Sequence, residues 1–113
     1  MDPIAQDEFE TMVSDALDSL PDEILGWLDN VVILVEDDHP EDLLGLYEGI
    51  PHTERMDYGD LALPDRITLY RRALCRFVDD IEHLAEEIHV TIVHELAHHI
   101  GIDDDRLHEL GWD

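Results

Sequence analysis

The chain has no lysine: its six basic residues are all arginine and stand against 30 aspartates and glutamates, a formal net charge of -24 over 113 residues. This argues against a nucleic-acid partner, because neutralising phosphates needs a basic patch and only Arg66, Arg71, Arg72 and Arg76 could begin one. With carboxylates so abundant, pairing with them is the expected use of those arginines. Cysteine is nearly absent too. Cys75 stands alone, which excludes a disulfide within the chain and leaves a small apolar side chain expected in the core. No long apolar run exists. The longest plain one, Val31 to Val35, falls far short of the roughly 20 residues that cross a bilayer, and the first residues lack the basic and apolar stretches of a secretory signal. The expectation is a soluble, cytoplasmic protein with no membrane partner. With no repeat or low-complexity tract visible, one domain over residues 1–113 is the simplest organisation. The acid excess repels itself at low ionic strength and is screened by salt, which fits a halophilic source; its bland counterpart is an ordinary, highly soluble acidic protein.

What is present is strongly periodic. Phe9, Met12, Val13, Ala16, Leu17 and Leu20 lay one apolar stripe along a helix expected from Pro3 to Leu20. After Pro21, Ile24, Leu25 and Leu28 with Asp22 and Glu23 in the first turn predict a short second helix, with Trp27 in the core. The β-branched run Val31–Val35, bounded by Asn30 and Glu36, reads as a buried strand. Leu43 to Glu48 and Arg66 to Arg71 read as further strands, and Gly49 to Leu63 as an irregular loop long enough to flank a cleft. From Asp79, the residues Ile81, Leu84, Ala85, Ile88, Ile92, Val93, Leu96 and Ile100 follow helical spacing through some six turns. Asp79 with Glu82 resembles a capping box, and Gly101 stands where a left-handed closing residue belongs. A last short helix fits Asp103 to Leu110.

The chemistry lies in His94-Glu95-Leu96-Ala97-His98, inside that long helix. Positions four apart project from nearly the same face, so both imidazoles can reach one metal ion. Glu95, rotated about 100 degrees from His94, flanks the ion and can act as general base on water whose pKa a zinc ion lowers towards about 7. A third protein ligand is still needed. Gly101 lets the chain reverse after the helix, and Asp104 and His108, four apart, are the two candidates; the one that does not ligate would support the site from beside it. His83 and His89 lack ligand spacing to another candidate, and for His99 an interaction with the helix carboxyl end suffices. For steadying a developing oxyanion, His108, Tyr70 and Arg71 are the candidates, in that order. The Asp103–Asp105 run lacks the alternating ligands, glycine and closing glutamate of a calcium-binding EF-hand loop.

The pattern His94-Glu95-x-x-His98-x-x-Gly101-x-x-Asp104 resembles the Asp-zincin motif, and it departs from the metzincin pattern, which wants histidine where Asp104 stands. Together with the stretch from His94 to Trp112, and with Leu44 to Gly49 and Leu63 to Tyr70 upstream, it is similar to the small prokaryotic family of minimal zincins from Trp27 onward. The resemblance implies an α+β fold in which a short mixed β-sheet packs against a long active-site helix, with two or three other helices. It also implies one zinc ion held by His94, His98 and Asp104, with Glu95 catalytic, in a metallopeptidase domain acting on a peptide or protein substrate. A non-catalytic zinc-binding interaction module is the competing reading, since so short a chain offers little wall to a cleft. Substrate preference and oligomeric state are not legible in the sequence.

Overall fold

In a computed structural model the described residues are 1–49, 64–102 and 104–109, with Asp104 described by its backbone alone. The expected loop Gly49 to Leu63 therefore lies, beyond its first residue, outside the described residues. The described elements are helix α1 (Gln6–Asp18), helix α2 (Asp22–Trp27), strand β1 (Val31–Glu36), strand β2 (Gly45–Glu48), strand β3 (Asp65–Tyr70), helix α3 (Arg71–Phe77), helix α4 (Ile81–Ile100) and helix α5 (Asp104–Glu109). This is the expected α+β class: a three-stranded mixed sheet in the order β1-β3-β2, with the long helix packed on it. β3 pairs in parallel with β1, Ile67 opposite Ile33, and antiparallel with β2, Leu69 opposite Gly45.

The central strand is the most buried, because both of its edges are paired: Ile67 and Leu69 are wholly inaccessible, and Thr68 and Tyr70 nearly so. β1 corrects the expectation of a buried strand. Among the described residues it is an edge strand, half-buried and exposed residues alternate along it, and Val32 and Leu34 stay 38% and 41% exposed. A continuous apolar run cannot reveal which face will find a cover.

The core joins sheet and helices through Phe9 and Val13 of α1, Ile67 and Leu69 of β3, and the α4 stripe Leu84, Ile88, Ile92 and Leu96, each of these four wholly buried. Burying each such side chain contributes about 1.5–3 kcal/mol relative to exposure. Trp27, expected in the core, is half-buried against its edge, and Cys75 is fully buried as expected.

Several bounds differ from expectation and one helix is additional; β2 begins at Gly45, not Leu43, and β3 spans Asp65–Tyr70, one residue ahead of the expected Arg66 to Arg71. α1 starts at Gln6, three residues past Pro3, with extended Ala5 before it. The cap of α4 is Asp80 and not Asp79: its carboxylate accepts the His83 N–H at 2.8 Å. Helix α3 went unanticipated, since it is short, follows β3 directly and starts at Tyr70 without a side-chain cap. The end of α4 is as expected: Gly101 adopts φ 86°, and the Ile102 N–H reaches the Ala97 carbonyl at 2.8 Å, the left-handed closure that glycine makes without steric cost.

Candidate metal centre

On α4 His94 stands two residues from both Ile92 and Leu96, nearly half a turn around the axis, so one helix can anchor in the core and present polar groups to a cleft. His94 and Glu95 are half-buried and His98 is exposed. All three line one cleft of about 310 Å³. One wall is α4, with Glu87, Val90 and Thr91 continuing the row; the other is Leu43, Leu44 and Gly45 at the start of β2. The wall is close because residue 45 is glycine. A Cβ there would stand 2.6 Å from Thr91 Cγ2, 3.3 Å from the Thr68 carbonyl oxygen and 3.6 Å from Glu95 Cγ. A glycine inside a strand often marks such an approach, and this was the signal available in the sequence.

The His94 and His98 rings are tilted by 54° with centroids 6.0 Å apart. Two imidazoles sharing a tetrahedral zinc at about 2.0–2.1 Å per Zn–N bond bring their centroids to roughly 5 Å, so small side-chain rotations suffice. Two neutral-type nitrogen donors on one helix face, with a carboxylate beside them in the same cleft, fit zinc by donor chemistry. Among the described residues no group of three or more His, Cys, Asp or Glu side chains is drawn together around a metal position. Asp104 is the first residue of α5, three past Gly101, and its side chain is outside the described set. α5 is pinned by fully buried Leu107, and the next residue, His108, is at the surface.

Two of the proposed oxyanion donors lie elsewhere. Tyr70 ends β3, is 5% exposed and does not line the cleft; burial, with Glu48 and Glu36 nearby, pushes its phenol above the usual range. The Arg71 guanidinium donates to the Ile4 carbonyl at 2.5 Å and to Asp37 at 2.8 Å, which ties the amino-terminal segment and the end of β1 to α3. Neither position could be told from sequence, because both depend on where β3 hands over to α3.

His99 has more than a helix end beside it. Its ring stacks on Tyr47 of β2 at 3.8 Å and 13°, Tyr47 donates to Asp65 at 2.8 Å, and His99 Nε2 is 3.8 Å from the same carboxylate. This cluster fastens the last turn of α4, one residue from His98, to both β2 and β3. His89 sits half-buried at another hollow, of about 520 Å³, between α1 and the amino-terminal half of α4, and burial lowers its pKa. That larger hollow shares no residue with the histidine cleft and lies on the opposite side of α4.

A helix carrying His-Glu-x-x-His, laid on a short mixed sheet with a cleft along its histidine face, is the arrangement of a zinc metallopeptidase domain. The chain belongs to the zincin-like metallopeptidases: the family's model matches residues 28–112. Its fold is similar to a solved structure, a conserved hypothetical protein from Thermo thermophilus, with a TM-score of 0.59 and 20% identity over 85% of this chain and 94% of that one. No curated protein matches the chain. Among the described residues no helix is long and apolar enough to cross a membrane.

Proposed function

We propose that the protein is a zinc-dependent metallopeptidase in which His94, His98 and Asp104 hold one ion and Glu95 is the general base. The observation that carries this reading is that His94, Glu95 and His98 line a single cleft whose other wall is Leu43, Leu44 and Gly45, where the chain enters β2. When bound, zinc supplies Lewis acidity, which makes water acidic enough to deprotonate near neutral pH and polarises a carbonyl. Glu95 takes the proton as water adds to the peptide carbonyl and returns it to the departing amine, so the base is regenerated as the C–N bond breaks. Its side chain lies beside Gly45, where an added Cβ would stand 3.6 Å from Glu95 Cγ, and lines the same cleft as the two histidines. Among the described residues β2 pairs on one edge only, with β3. A peptide substrate can therefore add along its other edge, with main-chain hydrogen bonds fixing the scissile bond beside Glu95. His108 is assigned a supporting role next to the ion. The family match does not favour the non-catalytic module.

Zinc titration against a competing chelator, alongside hydrolysis of mixed unfolded proteins and short peptides, tests the assignment. Glu95→Gln is expected to keep zinc and lose hydrolysis by orders of magnitude. Asp104→Ala is expected to lose zinc, whereas His108→Ala should keep most of it and lower activity. Loss of zinc from Glu95→Gln would make Glu95 a ligand. If His108→Ala loses zinc while Asp104→Ala keeps it, histidine is the third ligand.

A further inference from the structure

Core burial along α4 stops at Ala97, and the residues that close the helix, His98, His99 and Ile100, are all exposed. They form its last turn, the part of a helix that opens first because hydrogen bonding along the axis runs out there. His94 is better held, flanked by buried Thr91, Ile92, Val93, Leu96 and Ala97. The two histidines of the site therefore stand on parts of one helix with unequal support from the core. Their relative placement matters, since metal–nitrogen distances tolerate only about 0.2 Å.

Support for the exposed turn comes from the sheet. The His99 ring lies flat on Tyr47 of β2, with centroids 3.8 Å apart and planes within 13° of parallel. Asp65 Oδ2 accepts the Tyr47 hydroxyl at 2.8 Å and stands 3.8 Å from His99 Nε2, so one carboxylate oxygen faces both rings. Both partners sit in paired strands: Tyr47 is opposite Ile67, and Asp65 is opposite Val31 with its N–H on the Asn30 carbonyl at 3.0 Å. The anchor thus belongs to the sheet and does not move with the helix end.

We propose that Tyr47, His99 and Asp65 form a brace that orders the last turn of α4 and so positions His98 for the metal. They are positioning residues and touch neither ion nor substrate. The inference rests on the reading of His94 and His98 as zinc ligands. A site whose binding-competent arrangement is only partly populated binds more weakly in proportion to that fraction. A stacked pair of rings shifts such an equilibrium by up to about tenfold, and groups that orient metal ligands commonly change affinity by about ten- to a hundredfold.

The test measures zinc affinity of the full chain by competition with a chelator, and amide exchange of the metal-free protein. Tyr47→Ala and His99→Ala are each expected to weaken zinc binding about tenfold, and the double variant no more than either, because both remove one contact. Tyr47→Phe keeps the ring and should stay within about threefold. Asp80→Ala, which loosens the opposite end of α4, controls for general loss of stability and should stay within about twofold. Without metal, exchange at His98, His99 and Ile100 should quicken about tenfold in Tyr47→Ala while Leu84 to Ile88 keep their protection. Unchanged zinc affinity in the single variants, losses that add in the double, or an equal loss in Asp80→Ala would overturn the brace. So would near-complete loss of zinc in His99→Ala alone, which would make His99 a ligand. If the unaltered protein takes up no zinc, the zinc reading fails, and exchange at His98 to Ile100 alone decides whether the brace orders the turn.

Discussion

At Gly45 one hydrogen atom decides how near β2 comes to α4. Any side chain there meets Thr91 Cγ2 and the Thr68 carbonyl, and Thr91 is itself 8% exposed, so neither neighbour can give way cheaply. Gly45→Ala is expected to cost about 1–3 kcal/mol, the usual range for overpacking. Because the methyl of Thr91 is the tighter contact, the same change in a Thr91→Ala background should cost measurably less, with a coupling of about 1 kcal/mol in a double-mutant cycle read by urea unfolding. Equal costs in both backgrounds would mean that the Thr68 carbonyl, not the methyl, sets the requirement for glycine. The same contact brings Glu95 against β2, so the sequence feature that closes the cleft is an absence of side chain. His99 gives the complementary case: its stack on Tyr47 needs a strand that the chain passes some fifty residues earlier, and no local pattern foretells it.

At the scale of the element, α4 carries the site because each end is fixed by a single residue. Asp80 accepts the His83 N–H at the start, and Gly101 turns the chain at the end towards α5. Asp80→Ala is expected to cost about 1 kcal/mol, as loss of a cap does. Hydrogen exchange should locate that loss in the first turn of α4, around Ile81 to Leu84, with the turn holding His94 and His98 still protected. Protection lost evenly along the helix would mean that α4 unfolds as one unit and that its cap stabilises the histidine face directly. The helical period that placed this element also fixed its two faces, whereas α3, one short stretch without a cap, is helical because β3 delivers it onto the core through Ala73, Leu74 and Cys75.

For the whole molecule charge is the dominant fact. Of the six arginines, Arg66, Arg71, Arg76 and Arg106 make ion pairs with carboxylates, the use expected of them, but they engage few of the 30 acidic side chains, and the net charge stays at -24. These pairs are largely exposed and each contributes little, while repulsion among the remaining carboxylates is long-ranged in dilute buffer. The thermal midpoint is therefore expected to rise markedly between low salt and molar potassium chloride. A scan of midpoint against salt concentration checks it, and a flat response would show that the acidic surface is tolerated without screening and would remove the halophilic reading.

Period and spacing determined most of the elements and the histidine pair, because helical repeat and strand alternation are local properties that the chain carries in its own order. They also set Gly101 as the helix stop, since a positive φ has one cheap occupant. Tertiary structure alone decided which apolar strand became an exposed edge, which glycine let two elements touch, and that Tyr70 and Arg71 are turned to other uses. Each of those outcomes is a contact between residues far apart in sequence, and its free energy depends on the partner's position and not on the residue's own preference.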